Sequence, residues 1–309
     1  MDSLTCTDHT SFPRIILPGV IAIPSFLLIL LCARIIVRKE KYHHSFYYLI
    51  LLLFLTNFVI FICGTLIDKC LSIPFICEWM IVNISTPKFN VFSVVLFLSN
   101  VITIAYYVCT TLIALNRTTV LLEPLQANKK WLKHFPKVVL IYAILPFLAM
   151  SPSVPTTTFI ARVQGNVNYL ASDRLVSSPN YFILISCWGL LSTVIITIST
   201  ITSLVIVYRA KRTYRQIKDM QLFILGVCMC VFNVMVVLYY TLIVMILEFW
   251  FDIDLIVTVY TWRGVALDVA ALAPVWMIIA LDSRLRGDVY NQLMNKKKAS
   301  VREAWSTMA

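Results

Sequence analysis

The stretch from Tyr181 to Lys218, YFILISCWGLLSTVIITISTITSLVIVYRAKRTYRQIK, decides the fold. An uncharged apolar run from Tyr181 to Tyr208 leads straight into Arg209, Lys211, Arg212, Arg215 and Lys218. About 20 apolar residues suffice to cross the ~30 Å hydrocarbon slab of a bilayer as a helix. β-Branched residues are dense between Val194 and Val207, which in water would favour a strand. In hydrocarbon the backbone must satisfy its own hydrogen bonds, so the helix wins. The basic cluster marks the cytoplasmic end of the crossing, because Lys and Arg are retained on that side.

The same alternation extends in both directions. Apolar runs at 15–37, 46–67, 91–115, 138–154, 181–208, 222–247 and 255–281 predict seven crossings. Of the 26 basic residues, 20 lie in the first, third and fifth connections and in the tail 282–309. The first connection has Arg34, Arg38, Lys39 and Lys41, and the third runs from Arg117 to Lys137. Segment 1–14 and the other three connections share only five. This bias puts the N-terminus outside and the tail in the cytoplasm. The expected architecture is an all-α membrane protein, a seven-transmembrane helix bundle with an extracellular segment 1–14 and a basic cytoplasmic tail.

Composition agrees. The chain is 60% hydrophobic and 13% charged, with a mean hydropathy of +0.85, whereas soluble domains carry about a quarter charged residues. The net charge of +11 flanks membrane segments, where it faces anionic inner-leaflet lipid. A bilayer is therefore the expected partner and nucleic acid is not. Met1 to Pro13 has no basic n-region, so the first crossing is expected to act as its own insertion signal. Neither end has a lipidation signature. Prolines fall inside the first (Pro18, Pro24), fourth (Pro146, Pro152) and seventh (Pro274) spans, where each removes a helix hydrogen bond. Gly226 is the soft point of the sixth.

The exterior segments carry Cys6, Cys70 and Cys77. Any two of them can form a disulfide in oxidising space. A Cys70–Cys77 bridge would staple the loop before the third span. Asn83-Ile84-Ser85 in that loop is an N-glycosylation acceptor. Asn116-Arg117-Thr118 has the same pattern but is expected in the cytoplasm, and so bare.

Ionisable groups inside a span are functional candidates by default. The spans contain Arg263 and Asp268. Asn57, Asn100, Asn233 and Asp268 lie at one depth, about 16–22 Å from the cytoplasmic ends at 1.5 Å per residue, and suggest an interior polar cluster. Tyr181, Trp188, Tyr239, Tyr240, Tyr260, Trp262 and Arg263 crowd the outer half, where aromatic walls with few polar anchors suit a small apolar ligand. Arg117, Arg209, Lys211, Arg212 and Arg215 face the cytoplasm and suit an acidic partner. His9, His43, His44 and His134 all lie outside the spans, which removes intramembrane haem and di-iron chemistry. No facing aspartate pair and no phosphate-binding glycine loop occurs. No enzyme, cofactor or metal is expected. A channel or transporter would need a polar stripe through the bilayer, and the spans offer one layer. A non-signalling membrane assembly protein is the remaining rival.

Ala114-Leu115-Asn116-Arg117-Thr118-Thr119, then Glu123-Pro124 and Trp131, resembles the third-helix signature of nematode serpentine chemoreceptors. The similarity is greatest to serpentine receptor class gamma, with class-v relatives second. Tyr181–Leu191 and Ala273-Pro274-Val275-Trp276 to Arg286 add to the likeness. The resemblance implies a G-protein-coupled receptor in the plasma membrane of sensory neurons, taking a volatile or lipid-like small molecule and coupling to a heterotrimeric G protein. By that analogy Arg117 stands where rhodopsin-like receptors keep the arginine of Asp-Arg-Tyr. Asn116 replaces the acid, which leaves Asp219 as a substitute partner. Ala273 replaces the asparagine of the Asn-Pro motif, and Asn57 with Asp268 looks like a swapped polar pair.

Overall fold

The computed structural model describes residues 12–66, 75, 78–79, 91–123, 126–153, 158–163, 167–172, 180–210, 217–246 and 268–306. Side chains are described over 19–66, 75, 78–79, 94–123, 126–152, 183–209, 224–246 and 268–294. The long helices are α1 (Phe12–Arg38), α2 (Ser45–Gly64), α3 (Val91–Leu122), α4 (Ala127–Met150), α5 (Asn180–Ala210) and α6 (Ile217–Met245). Among the described residues six helices are long and apolar enough to cross a membrane, and α7 (Asp268–Leu281) is a shorter apolar one. A last helix, α8 (Ser283–Ser306), follows directly.

α3 is the axis of the bundle and packs against α2, α4, α5 and α6. Its apolar window is 56% buried, against 6% for that of α4. Both are apolar, so hydropathy does not separate the central helix from the peripheral one. In lipid, small residues and hydrogen bonds between helices make that distinction. Four α3 residues, Thr103, Ile104, Tyr107 and Cys109, are nearly or wholly buried at 4%, 0%, 0% and 0% exposure.

Three local features differ from the sequence expectation. α3 runs on past Leu115 to Leu122, and α4 begins at Ala127, well before Val138. An apolar run marks only the part of a helix that hydrocarbon demands. The polar extensions hold together by contacts such as Trp131 Nε1 donating to Thr119 Oγ1 at 2.7 Å. Pro152 falls outside the fourth helix, in a short 3₁₀ turn (Ser151–Ser153) after α4 ends at Met150. Its ring cannot continue the ladder. Pro136 and Pro146 are the prolines within α4.

The connection after α4 contains an antiparallel hairpin, β1 (Thr158–Val163) with β2 (Val167–Ser172), in register Thr158↔Ser172 through Val163↔Val167. Away from lipid nothing forces a helix, and Val, Ile, Phe and Tyr favour the pleated ladder.

α8 is the other addition. Asp282 caps it: Oδ1 accepts from the backbone N–H of Arg284 at 3.0 Å and of Leu285 at 3.1 Å. A side-chain acceptor here satisfies donors that the first turn leaves without partners. Leu285 and Val289 are buried and tie the helix to the bundle.

Candidate functional site

Residues 116–119 occupy a single turn of α3, yet each meets a different neighbour. At 100° per residue, four successive side chains sweep the whole circumference. Asn116 is fully buried and its Nδ2 donates to Ser45 Oγ of α2 at 2.9 Å. Ser45 in turn donates to Asn128 Oδ1 of α4, through N at 3.0 Å and Oγ at 3.1 Å. Thr118 turns to α5, where its hydroxyl pairs with those of Ser199 and, at 3.1 Å, Ser203. Thr119 accepts from Trp131 of α4. Arg117 lines the interior between α3, α5 and α6. Its guanidinium carbon stands 3.3 Å from the ring centroid of Phe46, in the first turn of α2. This is a cation–π contact.

A cleft of about 60 Å³ opens beside Arg117. α3 supplies Ile113, Val120 and Leu121, α5 supplies Ile196, Ser199 and Ser203, and α6 supplies Leu225, Gly226 and Met229. It sits at the end of the bundle that bears the basic connections, with the exposed Arg209 at the last turn of α5.

The seam between α3 and α5 continues from this end into the middle of the bundle. Thr111 and Ser192 share a hydrogen bond of 2.7 Å, and Ser192 Oγ donates to the Tyr107 carbonyl at 3.1 Å. Above Ser192, Gly189 lies against the Tyr107 ring and Val237 of α6. Small residues at 189, 192, 199 and 203 let the two helices approach along one line.

The first connection is clamped to α8. Asp288 receives Lys39 Nζ at 2.8 Å and Lys41 Nζ at 2.7 Å. The Tyr42 hydroxyl donates to the same carboxylate at 2.8 Å. Burial alone would raise this carboxyl, but the two lysines and Tyr42 outweigh it and hold it at about 2. Burial, followed by Asp288, pushes the Tyr42 phenol up. One turn further in, the Tyr47 hydroxyl donates to Asp282 Oδ2 at 2.7 Å. Phe46, which carries Arg117, and Tyr47, which holds the cap of α8, are adjacent in sequence. The cleft and α8 therefore meet at one short segment of α2.

The four polar residues expected at one depth have different surroundings. Asn233 is fully buried and its Nδ2 donates to Thr193 of α5 at 2.8 Å. Asn57 is buried, and neither atom of its amide hydrogen-bonds to a described residue. Asp268 is buried at the start of α7, and Asn100 is half-buried. Among the expected ligand residues, Tyr239 and Tyr240 form an edge-to-face pair with centroids 5.4 Å apart, and Trp188 is half-buried. Tyr181 lies in α5 with its side chain outside the described set, and Tyr260, Trp262 and Arg263 are outside the described residues. So are Lys211, Arg212, Arg215, Cys70, Cys77 and Asn83, and also the side chain of Asp219. Among the described residues no group of three His, Cys, Asp or Glu forms a metal site. Tyr106, Tyr107, Ser45, Asn128 and Phe46 were not singled out from sequence. The 3–4 spacing of small residues on α5 was the available signal for Tyr107.

The family model described as Srg family chemoreceptor matches residues 16–289. The chain belongs to the Srg chemoreceptor family. No curated protein matches it. The matched span of this Srg chemoreceptor runs from α1 into α8, so it takes in the Arg117 cleft, the hydroxyl seam and the Asp288 clamp. Family and apolar helices together make it a multi-pass plasma-membrane receptor.

Proposed function

We propose that this Srg chemoreceptor binds a small, mostly apolar molecule in the half of the bundle away from its basic connections, and activates a heterotrimeric G protein at the basic end. The observation that carries the proposal is the Arg117 cleft. Arg117 lines it between α3, α5 and α6 with its guanidinium over Phe46, and the exposed Arg209 stands in the last turn of α5. A partner helix that enters this mouth meets Arg117, with Arg209, Lys211, Arg212 and Arg215 around it.

The ligand-binding residues are Tyr181, Trp188, Tyr239, Tyr240, Tyr260, Trp262 and Arg263. The ligand shifts the equilibrium only to the extent that it binds the active bundle more tightly than the resting one. The N-terminus is outside and α8 is in the cytosol. Cys70 and Cys77 pair, Asn83 carries a glycan, and the cell is a sensory neuron, as the family implies. Asn57, Asn100, Asn233 and Asp268 act as the polar layer that rearranges on switching.

Cells expressing the chain are screened against a chemical panel, with current and second messenger recorded together. Arg117→Ala is expected to abolish the second-messenger response at normal surface level. An unchanged response removes the assigned role of Arg117, and a ligand-evoked current without G protein overturns the receptor mechanism. A C-terminal tag stained on unpermeabilised cells would invert the orientation.

A further inference from the structure

α8 has two parts of different character. Its first turns are tied in: Leu285 and Val289 are buried, Asp288 holds Lys39 and Lys41, and the helix packs against α1. Beyond Val289 the apolar residues change sides. Tyr290, Leu293 and Met294 are 60%, 53% and 38% exposed. The helix continues to Ser306. At 100° per residue, Val301, Ala304 and Trp305 fall in one stripe of ~120° with those three. The stripe lies away from the side on which Leu285 and Val289 are buried. Residues 289–309 contain Lys296, Lys297, Lys298 and Arg302 against Glu303, a net side-chain charge of +3. Lys296 and Lys298 fall on either side of the stripe. A helix with aromatic and aliphatic residues on one face and basic residues around them suits a membrane interface. α8 starts two residues after the apolar helix α7 ends at Leu281, so it begins where the chain leaves the bundle. Ser300 stands within Lys296-Lys297-Lys298-Ala299-Ser300-Val301-Arg302. Kinases select substrates by charge pattern, and basic residues on both sides of a serine match a kinase with an acidic substrate groove.

We propose that the distal half of α8 binds an anionic lipid leaflet, and that Ser300 is a phosphorylation site that releases it. The apolar stripe enters the boundary between headgroups and acyl chains, where burial of apolar surface holds it. The basic residues meet the negative headgroups, each adding to the attraction. Lys297, within the stripe, keeps its stem in the apolar boundary and its ammonium among the headgroups. In the modification the Ser300 hydroxyl oxygen attacks the γ-phosphorus of ATP. The bond from that phosphorus to the ADP oxygen breaks, ADP leaves, and the hydroxyl proton passes to a base of the kinase. The phosphate adds about −1.5 to −2 charges, which brings the net +3 down to about +1 to +1.5 and sets like charge against the leaflet. The phosphorylation half rests on the cytosolic placement of α8 proposed above, whereas the lipid half needs only a negatively charged membrane surface.

The full-length receptor is placed in nanodiscs of phosphatidylcholine, with or without phosphatidylserine, and hydrogen exchange of residues 290–306 is followed by mass spectrometry. Phosphatidylserine is expected to slow that exchange about tenfold, the factor for 1.4 kcal/mol. The protection should vanish in 1 M salt, where charges are screened within about 3 Å, and in a variant with Lys296→Gln, Lys297→Gln and Lys298→Gln together. Equal exchange in the two discs, or full protection of that variant, overturns lipid binding. Protection by calcium-loaded calmodulin in neutral discs as strong as by phosphatidylserine assigns the helix to a protein partner and overturns the lipid assignment. A kinase that prefers basic substrates, with ATP, is expected to modify Ser300 and return exchange to the rate in neutral discs. Ser300→Ala should keep the lipid protection and lose the response to kinase. Protection that survives full phosphorylation of Ser300, or a response that persists in Ser300→Ala, overturns the switch. In intact cells phosphate is expected at Ser300. Its absence from a tail shown to be cytosolic overturns the modification site, while an exterior tail removes the orientation proposed above and leaves the lipid binding standing.

Discussion

Replacing Gly189 by Ala places one methyl group where α3, α5 and α6 meet. The added Cβ would lie 2.6 Å from Val237 Cγ2, 3.0 Å from Tyr107 Cζ and 3.1 Å from the Tyr107 hydroxyl. Carbon atoms in good contact stand ~3.5–4.0 Å apart, so the Val237 contact is about 1 Å too short. Either Val237 leaves its rotamer or α5 backs away from both neighbours. Retreat of α5 strains the hydrogen bond from Ser192 to the Tyr107 carbonyl, now 3.1 Å. Overpacking of this kind costs ~1–3 kcal/mol. Alanine also favours helix over glycine by about 1 kcal/mol, which offsets part of that cost. Gly226→Ala gives the control, because a Cβ there meets nothing within 4 Å. The propensity gain is common to both variants, so their difference isolates the contact. That difference is expected at ~1–3 kcal/mol, or roughly 2–12 °C at about 2–4 °C per kcal/mol. The assay is thermal unfolding of the purified receptor in nanodiscs, followed by reaction of a thiol dye with the buried Cys32, Cys63 and Cys109. Val237→Ala in the Gly189→Ala background should show a favourable coupling in a double-mutant cycle. A Gly189→Ala protein that melts at or above Gly226→Ala, or zero coupling to Val237, would refute the close-packed node.

Three further outcomes follow from the basic end. Asp288→Asn removes the acceptor of Lys39, Lys41 and Tyr42. The carboxyl is held at about 2 against an ordinary 3.8. A depressed pKa means its stabilisation is fully present above about pH 4 and is lost as pH falls toward 2. The full shift would be worth about 2.4 kcal/mol. The lysines are 44% and 49% exposed, so screening reduces the expected loss at pH 7 to about 1 kcal/mol. The variant should also lose the steepening of acid denaturation between pH 4 and 2, as a pH series of melts will show. Thr118→Val deletes the hydroxyl shared with Ser199 and Ser203, and a melt should register a loss of about 0.6–1.7 kcal/mol. No change would mean that the α3–α5 seam gains nothing from its hydroxyls. Asp282→Ala removes both the cap of α8 and the acceptor of Tyr47. It should cost ~0.5–2 kcal/mol, visible as faster hydrogen exchange at Arg284 and Leu285. Unaltered exchange there would contradict the cap.

How far the sequence reaches depends on which coordinate is asked of it. Depth in the membrane is written plainly, because ~20 apolar residues and a basic flank fix where a helix enters and leaves. The apolar run ending at Tyr208 thus located α5, whose helix ends at Ala210. Polar helix is less visible, since no hydrocarbon compels it. The overrun of α3 to Leu122 and the whole of α8 therefore escaped notice, although Asp282 before Ser283 is a standard N-cap pattern.

Azimuth is the coordinate that hydropathy withholds. In water the apolar face of a helix points inward, but in lipid both faces are apolar and the pattern carries no direction. Asn57 and Asn233 agree in depth, yet the structure turns Asn233 to Thr193 and gives Asn57 no bond to a described residue. Tyr106 and Tyr107 are buried and Trp188 is half-buried, and nothing in their runs marks them as interior rather than lipid-facing. Direction is written instead in small and hydroxyl-bearing residues. Gly189, Ser192, Ser199 and Ser203 recur at intervals of three, seven and four, which keeps them on one stripe of α5. That stripe faces Tyr107, Thr111, Ala114 and Thr118 of α3. Because lipid offers no gain for burying a leucine against another leucine, close approach and shared hydroxyls orient a membrane helix. In this chain the stripe that orients α5 also forms one wall of the Arg117 cleft, through Ser199 and Ser203. Ser199 and Ser203 therefore serve both the packing of α5 and the site.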